Sequence, residues 1–388
     1  MKKLLLVLAI ISNALAHAQI KVDTSFGNAN VEVVQIAGNN LFFRAKLRKN
    51  QTENIWFYFK AFNLNTDTLN LRYLPANPLY MPYSIVFSFD NKTWKPLSPV
   101  TRSPNLQTYK IPVRKHDSVF IATYYPYTYT TLLKLLDSLD KLPFVRVTNL
   151  ITSEHGYSVP LVIISAPEND SLNKDLVWIT ARQHAFETPS SFCMQGILKY
   201  LSSNDSLVAQ LRNNVIFYIV PMMDVDNVIL GNSGRMQKPV DFNRDWGNKS
   251  HWNAVSATKD LLDATTGLHN FRIFIDIHSV FPFSAEPNLI FFNLFKQNSE
   301  QYANLQEFWN IYSLLDSMPL EISDFTQKKY ADLYIKQKYP YVDFSMTLEC
   351  PWNRYNGNTT VQTPGNLENM GKNFAKALVI YLSQNYTK

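Results

Sequence analysis

The chain has 388 residues, of which 46% are hydrophobic, 14% aromatic and 18% charged, and its formal net charge is +6. This composition excludes a disordered tail, the length suits about two domains with separate cores, and the absence of a Lys/Arg cluster predicts no nucleic-acid partner. With only 11 glycines and two cysteines, the chain is neither collagen-like nor able to build a disulfide framework or a thiolate zinc cage. Any metal site must therefore use histidine and carboxylate ligands.

The first 18 residues have the three parts of a secretory signal peptide. Two lysines precede an apolar run, Leu4 to Ile11, and the segment ends in a small-x-small pattern at Ala16 and Ala18. We expect cleavage before Gln19, which removes the two lysines and lowers the net charge from +6 to +4. The protein is thus predicted to be exported to the periplasm or outside the cell. No later apolar run is long enough to predict a transmembrane segment.

Residues 19–126 alternate short apolar-polar runs with turn-forming clusters such as Asn39-Asn40, Asn65 to Thr68 and Asn91-Lys92. Period-two alternation between such clusters is typical of strands. No helical period intervenes, so we predict an all-β sandwich. The strand-like runs are VEVVQIA, LFFRAKL, IWFYFKAFNL, YSIVFSF, YKIPV and VFIATYY.

Residues 127–388 follow a different pattern, in which apolar strand-like runs alternate with helical spacing. The segment from Tyr127, YTYTTLLKLLDSLDKL, is predicted to be the first helix of this second domain, and LENMGKNFAKALVIYL the last. Alternating strands and helices predict an α/β/α domain with a mixed, mostly buried sheet. The predicted strands include VRVTNLIT, VPLVIIS, DLVWIT, VIFYIVPMM, FRIFIDIH and VDFSMTLE.

Two of these strands are followed by residues that can bind a metal. His184 and Glu187 come directly after DLVWIT, before a helix that Pro189 introduces, and His278 ends FRIFIDIH. Two histidines and one glutamate form the ligand set of a hydrolytic zinc site, in which an open fourth position holds water. The spacing H-x-x-E alone is weak, since most such pairs are solvated helix starts; the second histidine at a strand end strengthens it.

A polar segment and a terminal acid complete the candidate site. GRMQKPVDFNRDW places Arg235, Asp241, Asn243 and Arg244 within ten positions, and Glu349 ends the strand VDFSMTLE. Two guanidiniums and an amide can bind an oxyanion or a carboxylate, although a surface loop with ordinary salt bridges has the same composition. An acid beside a metal-activated water can act as a general base.

In order and spacing, these motifs resemble the zinc metallocarboxypeptidases, and within them the cytosolic-carboxypeptidase-like subgroup. The motifs are ARQHAFETPSSFCMQGILKYL, IVPMMDVDNVILGN, GRMQKPVDFNRDW, DIHS and TLE, and the earlier runs NIWFYFKAFN and FIATYYPYTYTTLLKLL resemble the subgroup's amino-terminal β-sandwich and its junction with the catalytic domain. The resemblance spans nearly the whole mature chain and implies that residues 127–388 are a zinc carboxypeptidase catalytic domain.

The resemblance implies one zinc ion per chain, bound by His184, Glu187 and His278. It implies that Glu349 activates water and that Asp241 orients the first histidine ligand.

Three further residues gain roles from the same resemblance: Arg235 would stabilise the oxyanion, and Asn243 with Arg244 would bind the substrate's terminal carboxylate. The sequence departs from the family at Asp224-Val225-Asp226-Asn227, where Asn-Pro-Asp-Gly is usual, and at Pro239, where glycine is common. These positions shape loops rather than perform chemistry.

The family's mobile active-site tyrosine stays unassigned among four candidates, Tyr330, Tyr334, Tyr339 and Tyr341. Whether Cys193 and Cys350 form a disulfide is also open, with buried free thiols the commoner outcome for cysteines in apolar runs.

The leading functional hypothesis is an exported zinc exopeptidase that acts on the carboxyl termini of peptides or proteins. One alternative keeps the zinc site but hydrolyses cell-wall peptides or N-acyl amino acids. Another is an inactive, peptide-binding relative of the peptidases, which the retention of every ligand and of the base disfavours. The preferred terminal residue and the oligomeric state do not follow from the sequence.

Overall fold

The structure is a computed structural model that describes residues 19–49, 51–77, 80–114, 116–167, 173–281, 290–293, 299–316, 320–323, 329–355, 360–384 and 386. The predicted signal peptide, residues 1–18, lies outside the described residues. Within the described part of the chain, every helix is too short or too polar to cross a membrane.

The amino-terminal region is rich in β-structure, as predicted, and contains two five-stranded sheets. One sheet has the order β1-β4-β10-β6-β7 and the other β2-β3-β5-β9-β8. Side chains from both sheets, among them Phe43, Phe59 and Tyr109, are buried in one shared hydrophobic cluster. The strands are β1 (Lys21–Asp23), β2 (Glu32–Ala37), β3 (Asn40–Arg44), β4 (Tyr58–Phe62), β5 (Thr68–Tyr73), β6 (Ile85–Ser88), β7 (Lys95–Leu97), β8 (Thr101–Ser103), β9 (Leu106–Pro112) and β10 (Ser118–Ala122).

Strand β5 is absent from the sequence prediction, which assigned its first residue to a turn. Leu69, Leu71 and Tyr73 are buried on one face, so the strand has the alternation expected of a half-buried sheet. β5 lies between β3 and β9, parallel to β3 and antiparallel to β9. The alternation was overlooked because the asparagine and threonine residues at the start of the strand are also typical of turns.

The remainder of the described chain is an α/β domain, also as predicted. The first helix begins at Tyr129 rather than Tyr127, with the Thr128 side chain accepting a hydrogen bond from the Thr131 amide. The strands are β11 (Val145–Thr152), β12 (Ser158–Ile164), β13 (Asp175–Ala181), β14 (Val215–Val220), β15 (Asn270–Ser279), β16 (Ile290–Asn293), β17 (Leu320–Ser323), β18 (Phe344–Cys350), β19 (Arg354–Tyr355) and β20 (Thr360–Val361). The helices are α1 (Tyr129–Leu139), α2 (Thr188–Leu201), α3 (Ser206–Leu211), α4 (Val225–Leu230), α5 (Asn253–Thr266), α6 (Ser299–Leu315), α7 (Ala331–Lys338) and α8 (Pro364–Ser383), with a 3-10 helix at Phe242–Arg244.

The central sheet is mixed and has the order β11-β12-β14-β13-β15-β18. β13 is parallel to β14 and to β15, and β15 is parallel to β18. All residues of β13 and β14 are buried, which explains why their sequences are continuous apolar runs. These four parallel strands therefore direct their carboxyl ends to one edge of the sheet, where ligand sites of α/β proteins form.

Helices α2 and α8 cross with almost no space between their backbones. A Cβ atom added to Gly371 would lie 1.9 Å from the Cys193 carbonyl oxygen, and one added to Gly196 would lie 2.0 Å from the Glu368 carbonyl oxygen. Only glycine permits this approach. The crossing fixes the position of α2, whose first residue follows Glu187.

Candidate metal centre

The candidate centre forms at the carboxyl ends of β13, β15 and β18. β13 leads into the loop that holds His184 and Glu187, while His278 and Glu349 lie on β15 and β18. His278 and Glu349 are register partners in the parallel pair. The strand order thus brings these four residues to one edge of the sheet.

Three of these side chains converge on one point. Ligand atoms of His184, Glu187 and His278 all lie within 4.8 Å of one another, and the three residues are buried. Nδ1 of His184 is 2.7 Å from Glu187 Oε1, and Nδ1 of His278 is 2.9 Å from Glu187 Oε2. Both histidines therefore direct the same ring nitrogen at the shared carboxylate.

The other ring nitrogen of each histidine faces a second carboxylate. Nε2 of His184 lies 2.9 Å from Asp241 Oδ1, and Nε2 of His278 lies 2.8 Å from Asp276 Oδ2. Carboxylates behind histidine ligands fix the ring orientation and raise the basicity of the ligand nitrogen. The role of Asp241 was predicted from the sequence. That of Asp276 was not, although an acid inside the apolar run FRIFIDIH is unusual and could have pointed to it.

The centre carries an excess of buried negative charge. Burial lowers the pKa of His184, but the charges of Asp241 and Glu187 outweigh it and raise that pKa to about 9. Burial likewise opposes the protonation of His278, whose pKa is raised well above its usual value by Asp276 and Glu187. The two imidazoles thus favour positive charge. A divalent cation would supply that charge in place of the protons.

Glu349 lies beside this cluster. Burial and the charge of Glu187 raise its pKa to about 7, while His278 and His184 oppose the rise. Its Oε2 atom is buried and makes no hydrogen bond to any residue that the structure describes. A carboxylate with a free oxygen and a pKa near neutrality is suited to accept a proton and release it again.

The loop between β13 and α2 is held by a residue that the sequence analysis did not single out. Arg182 is fully buried and has a positive φ of 59°. Its Nε and Nη2 atoms donate to the Ala185 carbonyl oxygen at 2.9 and 2.6 Å, and Nη1 donates to Ser191 Oγ at 2.6 Å. The guanidinium thereby joins the loop to α2 and fixes the backbone between the two metal-binding candidates. Arg182 could have been noticed in the sequence as a charged residue directly after an apolar strand.

Two arginines lie near the centre, each against an aromatic ring: Arg235, predicted to stabilise the oxyanion, and Arg244, predicted to bind the terminal carboxylate. The Arg235 guanidinium is 3.9 Å from the centroid of the Phe281 ring, and the Arg244 guanidinium is 4.1 Å from that of Tyr330. Phe281 stacks on Phe186, which stacks in turn on His184. Arg235 is thus linked to the histidine cluster through a row of rings.

Asn243 is more constrained than Arg244. Its Oδ1 atom accepts a hydrogen bond from the Ala331 amide at 3.0 Å, and its Nδ2 atom lies 3.0 Å from His278 Nε2. Arg244 donates from Nη1 to the Asn243 carbonyl oxygen and is only partly buried. The structure thus brings both residues to the centre, with the arginine the more accessible.

The amino-terminal region contacts the segment that leads to Arg235. The Ile55 amide donates to Ser233 Oγ at 2.8 Å, and Thr52 Oγ1 donates to the Met236 carbonyl oxygen at 3.0 Å. These bonds support the backbone on both sides of the arginine. The front region therefore contacts the backbone that supports the candidate site, and none of the side chains that the structure describes there belongs to the cluster of metal-binding candidates.

The structure distinguishes the four tyrosines that the sequence left open. Tyr330 lies against Arg244 and interacts electrostatically with Arg244, Asp241 and Arg235. Tyr334 packs on Trp246, and Tyr339 donates a hydrogen bond to Asp263, away from the cluster, while Tyr341 is 61% exposed. Tyr330 is the candidate that adjoins the site.

Cys193 and Cys350 are buried free thiols. Burial raises the pKa of Cys350, and hydrogen bonding to the adjacent Cys193 raises it further. The commoner outcome expected from the sequence is therefore the one observed.

Comparison with known proteins identifies the family. A family model described as zinc carboxypeptidase, Peptidase_M14, matches residues 132–388. The chain belongs to the zinc carboxypeptidase family. It is accordingly a hydrolase of the metallocarboxypeptidase type, and the resemblance found in the sequence is confirmed.

Individual relatives agree with this assignment. The chain is 26% identical to cytosolic carboxypeptidase 6 of Caenorhabditis elegans over 338 residues, which cover 79% of this chain and 72% of the relative. It is 36% identical to cytosolic carboxypeptidase 6 of Mus musculus over 177 residues, covering 43% of this chain and 32% of the mouse protein. The match thus spans about a third of the mouse relative.

The fold is that of a solved metallo-carboxypeptidase from Burkholderia cenocepacia. The two structures superpose with a TM-score of 0.84 over 95% of this chain and 100% of the other, at 21% sequence identity. Because the sequence identity is only 21%, the structural similarity is evidence for the fold alone.

The family is zinc-dependent, and the residues present fit that ion. Two imidazole nitrogens and one carboxylate are the donors that catalytic zinc prefers, with a fourth position left for water or substrate. The surplus of buried carboxylates around the two histidines fits a divalent cation as well.

Proposed function

We propose that this protein is a zinc-dependent exopeptidase that hydrolyses the carboxyl-terminal peptide bond of peptides or proteins. The observation that carries the proposal is the convergence of His184, Glu187 and His278 beside Glu349, with two arginines close by. In this proposal the three converging side chains hold the ion. Zinc bound there would polarise the scissile carbonyl and make a water molecule more acidic.

Glu349 performs the proton transfers. Among the described residues its buried Oε2 atom has no hydrogen-bond partner, so the carboxylate can accept a proton from the attacking water without breaking a contact within that part of the chain. The same proton then passes to the amine of the leaving residue. A pKa of about 7 supports both steps, because proton transfer is most efficient when the pKa of the acid-base group is near the working pH.

The two arginines act on different parts of the substrate. Arg244 pairs with the terminal carboxylate, since a guanidinium matches carboxylate geometry in a two-point contact. Asn243 adds a second donor from its amide nitrogen. Arg235 donates to the oxygen that becomes negative as water attacks. Tyr330 lies against Arg244 at the same subsite.

The amino-terminal region supports the catalytic domain rather than contributing to the chemistry. We propose that residues 19–126 form a β-sandwich domain and residues 127–388 the catalytic domain. The hydrophobic cluster shared by the two front sheets supports this division, and the contacts of Ile55 and Thr52 with the Arg235 segment support the structural role of the front region. We further propose export after cleavage near Ala18, which rests on the signal-like sequence of residues 1–18.

A digest of a mixed peptide library, analysed by mass spectrometry, tests the proposed activity. The purified mature protein should yield products shortened one residue at a time from the carboxyl end, and a zinc chelator should stop the reaction until zinc is restored. Internal fragments would indicate an endopeptidase instead. Turnover of N-acyl amino acids without cleavage of any peptide would indicate the amidohydrolase alternative.

A further inference from the structure

Asp276 is a buried carboxylate that the proposed chemistry does not use. It lies on β15 two residues before His278, so both side chains extend from the same face of the strand. Its exposed fraction is 0%. Burying an ionised carboxylate is costly unless it is paired and hydrogen-bonded, so its surroundings should show what it does.

Three donors surround this carboxylate. Thr180 Oγ1 donates to Oδ1 at 2.7 Å, and Gln183 Nε2 donates to Oδ2 at 2.5 Å. His278 Nε2 lies 2.8 Å from the same Oδ2 atom. Gln183 is itself oriented by Trp246, whose Nε1 atom donates to Gln183 Oε1 at 2.8 Å. Asp276 is therefore held from both sides.

The tautomer of His278 follows from its two neighbours at Nε2. Asn243 Nδ2 is 3.0 Å from this nitrogen, but an amide nitrogen is a donor and cannot accept its proton. Asp276 is the acceptor. With the proton on Nε2, the lone pair of Nδ1 is directed toward Glu187, 2.9 Å away, where the ion would bind.

We propose that Asp276 is a positioning residue for the metal centre: it fixes His278 in the tautomer that can ligate zinc and increases the basicity of Nδ1. The inference rests on the proposed zinc site. The carboxylates behind the two histidines are held by different kinds of structure. Asp241, behind His184, lies at the end of a loop, whereas Asp276 lies within a strand and is joined to neighbouring β13 through Thr180. His278 is therefore supported from the central sheet, and His184 from a loop.

The primary test is the zinc affinity of Asp276→Asn, measured by competition with a chromophoric chelator. The substitution keeps the size of the side chain but removes its charge, and one amide orientation would also donate to Nε2 and place the histidine proton on Nδ1. Loss of such a carboxylate typically weakens metal binding about 10- to 100-fold, and this is the expected result. In zinc-loaded protein with 15N-labelled histidine, the His278 Nε2 proton signal of the wild type should shift or disappear.

Two further variants separate positioning from general damage. Thr180→Val removes one anchor of Asp276 while leaving the carboxylate, and we expect a smaller loss of affinity, about several-fold. Asp316→Asn is the matched control, because Asp316 is also buried and accepts a hydrogen bond from Asn373 Nδ2 at 3.2 Å rather than contacting a histidine. Its zinc affinity should stay within about twofold of the wild type.

The outcomes are distinct. If the wild type binds zinc and Asp276→Asn binds it equally well, the inference about Asp276 is wrong while the zinc site stands. If the wild type itself binds no zinc, the proposed function fails. Should Asp276→Asn not fold, Thr180→Val decides, and an unchanged affinity and an unchanged His278 signal in that variant would overturn the inference.

Discussion

The crossing of α2 and α8 predicts that Gly371→Ala destabilises the protein strongly. The added Cβ would lie 1.9 Å from the Cys193 carbonyl oxygen and 2.7 Å from its carbonyl carbon, whereas real Cβ atoms stay beyond 3.0 Å. The helices must therefore separate by more than about 1 Å. Both partners are backbone atoms, so no change of rotamer can relieve the overlap.

The free-energy cost can be estimated from this overlap. Overpacking a core typically costs about 1 to 3 kcal/mol, and a contact between two backbones belongs at the upper end. Alanine's better helix propensity recovers about 1 kcal/mol of unfolding free energy. The net loss is then about 2 kcal/mol. For a domain of this size that lowers Tm by about 4 °C or more.

Differential scanning fluorimetry of Gly371→Ala against Gly365→Ala measures the effect. Gly365 lies in the same helix, but its added Cβ would meet only Thr363 Oγ1, at 3.9 Å, so its Tm should equal or exceed that of the wild type. Zinc content should also fall in Gly371→Ala, because α2 begins directly after Glu187. A Tm for Gly371→Ala equal to that of Gly365→Ala would refute the packing argument.

Three other predictions concern the site and its support. Purified mature protein should contain about one zinc per chain, and His184→Ala or His278→Ala should abolish binding in metal analysis; wild-type stoichiometry in both variants would exclude the site. Glu349→Gln should keep its zinc but lose at least about two orders of magnitude in kcat, so activity close to wild type would exclude Glu349 as the base. Lys92→Ala, on an exposed front loop, should leave peptide turnover unchanged, and a loss of turnover with intact folding and zinc content would contradict the supporting role of that region.

The sequence predicts those parts of the fold that depend on runs of one residue type. Strands β13 and β14 are buried on both faces, so their apolar runs marked them directly. The alternation in β5 was missed because Asn and Thr at its start are also turn-forming residues. Helix boundaries differ by a residue or two, since they depend on capping contacts such as that of Thr128.

Sequence analysis can predict those site residues that lie at or just after the end of a strand. His184 and His278 were found in this way. The sequence shows Asp276 only as an acid within an apolar run, because its partners Thr180, on β13, and Gln183, in the loop after β13, meet it only once β13 and β15 lie side by side. The choice of Tyr330 likewise depends on how its ring meets Arg244, which no local pattern encodes.

Recognition of a free terminal carboxylate is the central claim, and a matched pair of peptides tests it most directly. The two peptides share one sequence and differ only in a carboxylate or an amide at the end, and kcat/KM is measured for both with wild type and Arg244→Ala. Removing one partner of a buried charged hydrogen bond costs about 2 to 5 kcal/mol, so the wild type should favour the free acid by about 30-fold or more. Arg244→Ala should lose most of this preference while cleaving the amide no better than the wild type does. Equal cleavage of both peptides by the wild type would contradict the assignment as an exopeptidase.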